Sequence, residues 1–308
     1  MKRDFLSLAD FTRAELEEIL HLAATLKRDL KAGKRQPLLA GKTLAMIFEK
    51  PSLRTRVTFE VGMTQLGGSA VYLAPKDIQL GEREAVADIA RNLERWVDLI
   101  MARTFAHRTI VELAEHSAVP VINGLSDLLH PCQVLSDCFT LLEQRGRLDD
   151  LRVAFVGDGN NVANSWMNAA AKFGFDLVLA CPPGYEPHEA VFGAAQAAGA
   201  RVQVTHDAAT AAKDADVLYT DVWTSMGQES ETEKRRRDFA AYQINAQLLR
   251  RARRDALVMH CLPAHRGQEI TDEVIDGPSS VVFDQAENRL HAQKAVMVWL
   301  SERTGRHR

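Results

Sequence analysis

Cysteine is scarce in this sequence. Four cysteines, Cys132, Cys138, Cys181 and Cys261, are spread through 308 residues, and no two form a C-x-x-C pair. That excludes a disulfide framework or a structural zinc site and favours a reducing, cytoplasmic setting. A long apolar run is also missing, since crossing a bilayer takes about 20 consecutive apolar residues. The opening MKRDFLSLADFTRAELEEIL has neither the apolar stretch nor the small-residue cleavage site of a secretory signal. Excess positive charge is absent too. Lys and Arg total 38 against 41 Asp and Glu, for a net charge of −3 and a pI near 6.4. A chain devoted to nucleic acid would be basic, so neither nucleic acid nor membrane is expected as a partner. No short-period repeat or low-complexity tract is present.

What is present is an ordinary globular composition, 46% hydrophobic and 26% charged, long enough for two domains. An amphipathic helix opens the chain, with Asp10 or Thr12 as its cap and Leu16, Ile19, Leu20, Ala23 and Leu26 at helical spacing. Short apolar runs then alternate with helical stretches. The first series is Thr43–Phe48, Ala70–Leu73, Leu99–Ala102 and Val119–Ile122, with a helix from about His130 to Gln144. The second is Val153–Val156, Leu177–Ala180, Val202–Val204, Val217–Tyr219, Leu257–His260 and Val281–Phe283. This alternation predicts an α/β fold of two doubly wound parallel-sheet domains, with a boundary near residue 146 (1–145 and 146–308). A final helix is expected over about 286–302. The polar interval Thr224–Asp238 reads as a lid, a binding loop or a plain solvated loop.

Open α/β sheets bind ligands beyond the carboxyl ends of their strands, and the unusual residues gather there. PSLRTR follows the first run, with Ser52 able to cap a helix whose N–H groups and dipole favour an anion. Arg54, Thr55 and Arg56 add charge and donors, so the segment is either a phosphate cradle or a basic surface turn. Arg103 ends the third run, free to span a phosphate or pair with a surface carboxylate. His130 and Gln133 follow the fourth, with donors suited to an oxyanion and an amide. GDGNN, residues 157–161, resembles a dinucleotide turn, but Val162 stands where a third glycine belongs, so its amides suit another polar ligand. Asp221 could hold an ammonium group or cap a loop, and Cys261 is either a buried structural thiol or a reactive one. The clusters Lys234–Arg237 and Arg250–Arg254 read as solvated surface. The two sets of strand ends suggest a cleft between the domains.

Six segments in order, PSLRTR, HPCQ, GDGNN, DVWTSMGQE, HCLPAHRG and AENRLHAQKA, resemble the ornithine carbamoyltransferase family over nearly the whole chain. The resemblance implies a carbamoyl-phosphate-binding first domain, an ornithine-binding second domain, an interdomain active-site cleft, and a last helix that packs back on the first domain. It implies carbamoyl phosphate and L-ornithine as substrates, a homotrimer or an assembly of trimers, and neither metal nor cofactor. Ser52, Leu53, Arg54, Thr55, Gln79, Arg103, His130, Gln133, Cys261, Leu262 and Arg289 then match the carbamoyl phosphate contacts. Asn161, Asp221, Ser225 and Met226 match the ornithine contacts, with Arg103, His130, Thr55 and Cys261 as the catalytic set. Leu53 stands where many members carry threonine, which removes a hydroxyl and keeps the backbone N–H. An aspartate-using relative would carry a lysine near Gln79; Lys76 precedes that motif, while the SMG and HCLP segments match the ornithine branch. A nicotinamide-dependent dehydrogenase and a non-catalytic binding module are the rivals from other classes.

Overall fold

A computed structural model describes residues 2–225 and 229–304. The chain forms two compact units, one of residues 1–139 with 287–308 and one of residues 140–286.

In the first unit, β1 (Thr43–Phe48), β2 (Ser69–Leu73), β3 (Leu99–Arg103) and β4 (Val121–Leu125) form an all-parallel sheet in the order β2-β1-β3-β4. β1 and β3 are buried along almost their whole length, which explains their continuous apolar runs. The fourth strand lies slightly downstream of the expected run. Pro120 has no N–H to contribute to a ladder, and Val121 donates its own to Asp4 Oδ1 (2.8 Å). The opening helix spans Arg13–Lys31. Thr12 caps it, its hydroxyl accepting from Glu15 N while the Glu15 carboxylate accepts from Thr12 N. The apolar positions read from the sequence are its buried face. The last helix, Val282–Arg303, joins this unit from Glu287 onward. Lys27 Nζ donates to Asn288 Oδ1 (2.7 Å) and Trp299 Nε1 to Glu18 Oε2 (3.0 Å), tying it to the opening helix.

The second unit holds β5 (Arg152–Val156), β6 (Asp176–Ala180), β7 (Val202–Thr205), β8 (Val217–Thr220) and β9 (Leu257–His260), parallel throughout in the order β7-β6-β5-β8-β9. Order reverses at β5, the switch point at which such sheets bind ligands. The run Val281–Phe283, expected as a strand, is not one. Ser280, just before it, makes an isolated bridge to Val258, and the chain turns into the last helix at Val282. Part of the polar interval departs from the loop expected there. Thr232–Asp238 is helical, and Arg235, expected in solvent, is buried.

Two histidines of the first unit are buried, His130 and His291. Burial holds the His291 imidazole below its usual value, Lys294 and Lys27 lower it further, and Glu287 only partly offsets them. A histidine depressed in the fold takes up a proton first in the unfolded chain. Its contribution to stability is therefore complete above pH 6.5 and declines as pH falls below it. The limiting slope is about 1.4 kcal/mol per pH unit for one such group. Urea titrations of His291→Asn between pH 7.5 and 5 should show a shallower acid-side loss of stability than the wild type. An identical slope would mean that His291 titrates normally.

Candidate active site

The first unit builds its site at the start of the helix Leu53–Gln65. Ser52 is extended and caps this helix, its Oγ accepting from Thr55 N (3.3 Å). A helix start leaves backbone N–H groups without helical acceptors and carries the positive end of the dipole. No acidic side chain occupies the first turn; Arg54 and Arg56 are there instead. The Leu53 side chain is three-quarters exposed, so what it offers this site is backbone.

Thr55 is fully buried, and its Oγ1 accepts from Arg289 Nη2 (3.2 Å). Arg289 Nη1 donates to Gln133 Oε1 (2.6 Å), and Gln133 Nε2 donates in turn to buried Asp137 (2.8 Å). With the Gln293 amide turned so that its nitrogen donates to Thr58 Oγ1, its oxygen accepts from Arg289 Nη2 (2.8 Å) and Nε (3.2 Å). One buried guanidinium thus fastens the first turn of one helix to the first turn of another, Pro131–Arg145. His130 immediately precedes that second helix. Burial pushes its imidazole well below the usual value, and Arg289, Arg103 and Arg54 push it further. It is therefore neutral at physiological pH, able to donate one N–H without carrying charge. Arg103 is buried at the end of β3, where the ladder to β4 shifts register.

Two expected residues lie apart from this cluster. Arg56 stacks over Tyr72, its guanidinium carbon 3.8 Å from the ring centre, with Glu60 3.6 Å away. It follows the outward face of its helix, so the expectation that it joins the anion site is corrected. Gln79 is exposed in a left-handed turn (φ 44°) and lines a cavity of about 330 Å³ with Glu49, Lys76 and Phe105.

The second unit gathers its polar residues after β5, β8 and β9. Asn160 caps the helix Asn161–Phe173, its Oδ1 accepting from Val162 N (2.9 Å) and Ala163 N (3.2 Å). Its Nδ2 donates to Asp221 Oδ2 (2.8 Å). Asp221 Oδ1 accepts from Val222 N (2.8 Å) and from the Cys261 thiol (2.9 Å). The strand ends are thereby stitched together, with Asn161 half-buried at the first helical position and Ser225 half-buried beyond β8. Gly159 has a steric reason: an added Cβ would lie 2.3 Å from Pro187 N and 2.6 Å from Tyr185 O. Met226 falls outside the described residues. Leu262 is in the left-handed region (φ 56°), and its N–H donates to His260 Nδ1 (2.8 Å).

Residue spacing gave no sign of Arg235. It donates to Asp158 Oδ2 (2.9 Å), to the Trp223 carbonyl (2.9 Å) and to Glu231 (2.9 Å), pinning the start of the polar interval to the 157–161 turn. Burial pushes the Asp158 carboxyl up to about 6 even with this partner.

Asp221, His260 and Cys261 bring potential metal-ligand atoms within 4.8 Å of one another. Both imidazole nitrogens of His260 already have protein partners, Leu262 N and Glu269 Oε1, and the thiol is bonded to Asp221. The trio is better described as a hydrogen-bonded structural cluster than as a vacant ligand set.

Comparison with known proteins matches both halves of the chain. Residues 3–143 match the carbamoyl-P binding domain model of aspartate/ornithine carbamoyltransferase, and residues 149–300 match the Asp/Orn binding domain model. The ornithine carbamoyltransferase of Thermococcus kodakarensis is 56% identical over 96% of this chain and 95% of its own. The solved structure of the Pyrococcus furiosus ornithine carbamoyltransferase superposes with a TM-score of 0.93, at 55% identity over 96% of each chain. The anabolic enzyme of Campylobacter jejuni gives 0.93 at 41% identity, over 98% of this chain and 99% of its own. By both of its halves and by full-length relatives, this chain belongs to the aspartate/ornithine carbamoyltransferase family.

Proposed function

We propose that the protein transfers the carbamoyl group of carbamoyl phosphate to the δ-amine of L-ornithine, giving L-citrulline and phosphate, in the direction of arginine biosynthesis. The observation that carries this reading is the buried Arg289–Thr55–Gln133 lock beside a neutral His130 at a helix start. Such a start, with Arg54 and Arg103 near it, suits a phosphate dianion.

In this reading Ser52, Leu53, Arg54 and Thr55 hold the phosphate through backbone N–H groups, hydroxyls and the Arg54 guanidinium. Arg103 and His130 donate to the carbamoyl oxygen, and Gln133 addresses the carbamoyl nitrogen. Arg289 acts mainly by fixing Thr55 and Gln133. Gln79 reaches phosphate from a neighbouring subunit. Asp221 grips the α-ammonium of ornithine, Asn161 and the Ser225–Met226 backbone address its α-carboxylate, and Cys261 orients the amino acid. Of its two backbone polar groups Leu262 has its carbonyl to offer substrate, because its N–H is committed to His260. The neutral δ-amine attacks the carbamoyl carbon, a tetrahedral species forms, its oxyanion is stabilised by Arg103, His130 and Thr55, and the carbon–oxygen bond to phosphate breaks as the departing phosphate takes up the proton that the amine nitrogen loses. No acyl-enzyme step is needed.

A trimer of identical chains is part of the proposal. Leu53, Val57 and Val61 form an exposed apolar row at i, i+4, i+8 on one helix, with exposed Val71 on the neighbouring edge strand. A second copy would bury such a row. A cytoplasmic location is proposed on the free state of all four cysteines, and no described helix is long and apolar enough to cross a membrane.

A phosphate-release assay with carbamoyl phosphate and ornithine, acetylornithine, putrescine or aspartate as acceptor, with citrulline identified as the ornithine product, tests the function. Ornithine alone should support rapid turnover, and a preference for aspartate would overturn the reading. Asp221→Ala should raise the ornithine KM at least tenfold while leaving that for carbamoyl phosphate nearly unchanged. A normal ornithine KM would remove Asp221 from the amino-acid site.

His130→Gln should lower kcat by about 10²–10³, the usual cost of losing one oxyanion donor. Because His130 is already neutral, the rise of rate toward alkaline pH belongs to the substrate amine and should persist in the variant. Loss of that rise in His130→Gln would show that the histidine is the titrating group.

A further inference from the structure

The second unit contains a fully buried acid that the proposed chemistry does not use. Glu269 and His260 are both 0% exposed, and Glu269 Oε1 lies 3.1 Å from His260 Nε2. A carboxylate without solvent needs a strong structural reason, because its desolvation is costly unless its partners are well placed.

The hydrogen bonds around His260 determine its tautomer. Leu262 N–H lies 2.8 Å from His260 Nδ1. A backbone N–H can only donate, so Nδ1 is the unprotonated acceptor and the ring proton sits on Nε2. Nε2–H then donates to Glu269 Oε1. That oxygen also accepts from His265 N, tying together the two ends of the loop after β9. The His260 backbone N–H donates to Gln285 Oε1 (2.9 Å), so the histidine is held at main chain and at both ring nitrogens.

The bond to Nδ1 spans Cys261 and closes a tight turn around it. Leu262, a γ-branched residue, sits at φ 56° in this turn, a conformation such side chains adopt only when their surroundings impose it. Cys261 inside the turn donates to Asp221. The chain of influence thus runs from Glu269 through His260 to the Leu262 backbone, and from there to the Cys261–Asp221 contact.

We infer that Glu269 is a positioning residue for the amino-acid site: by fixing the His260 tautomer it sets the turn that presents Cys261 and Leu262. Glu269 touches neither substrate in this account. The inference rests on the reading above, in which Asp221 and Cys261 serve ornithine.

The test compares Glu269→Met, which cannot accept a hydrogen bond from the imidazole in the same way, with Glu269→Gln, which keeps an acceptor oxygen. Steady-state kinetics on the full-length enzyme should show the ornithine KM of Glu269→Met raised about tenfold or more. Its carbamoyl phosphate KM should stay within about twofold, and Glu269→Gln should recover most of the loss. A lowered melting temperature with an unchanged ornithine KM would overturn the inference, as would equal damage to both substrates or a Gln variant no better than the Met variant.

Nitrogen-15 NMR of histidine-labelled wild-type enzyme supplies a second readout that needs neither turnover nor a folded Met variant. His260 is assigned by the signal lost in His260→Gln, and it should be the Nε2–H tautomer, retained in Glu269→Gln. A proton on Nδ1 overturns the inference. If the wild type makes no citrulline but the tautomer is as stated, the functional reading fails while the Glu269–His260–Leu262 linkage stands.

Discussion

A single buried guanidinium organises the first half-site. Arg289 enters from the last helix and bonds to Thr55 and Gln133, residues at the starts of two other helices. Each helix start already carries partial positive charge. Adding Arg289, Arg103 and Arg54 makes a field strong enough, together with burial, to keep His130 neutral. The site is therefore poised for an anion before any ligand arrives. Such preorganised donors lose little reorganisation energy when negative charge develops. Asp137, reached through the Gln133 amide, holds that amide in one orientation.

The second half-site relies on hydrogen bonds between strand ends more than on net charge. Asn160 serves at once as a helix cap and as a donor to Asp221, while Cys261 reaches the same carboxylate from the end of β9. Gly159 permits the close approach of the 185–187 segment beside this cluster. A slightly acidic protein thus separates its functions by local distribution of charge. Guanidinium groups dominate one unit's cluster and a carboxylate the other's, a division that suits the proposed phosphate donor and ammonium-bearing acceptor.

Much of this was legible in the sequence because it depends on short-range rules. Thr12 and Ser52 announce their helices through capping, and the apolar runs mark buried parallel strands whose carboxyl ends carry the polar residues. The rest is illegible for physical reasons. The Arg289–Thr55 bond joins positions 234 residues apart, so no local pattern reveals it, and only the family resemblance pointed to Arg289. Arg56 looks like Arg54 in sequence, yet helical rotation turns it toward Tyr72. Arg235 lies in an apparently solvated basic run and is buried because Asp158, far away in sequence, receives it. Val281–Phe283 has strand composition, but after one bridge the chain enters a helix.

The start of the helix Leu53–Gln65 is the proposed phosphate site on which the rest depends. Calorimetric titration of carbamoyl phosphate into wild type and Arg54→Ala, with melting temperatures recorded alongside, tests it most directly. Affinity should fall by about a hundredfold or more, the equivalent of ~2.7 kcal/mol, with the melting temperature nearly unchanged. Equal affinity in the two proteins would contradict the account.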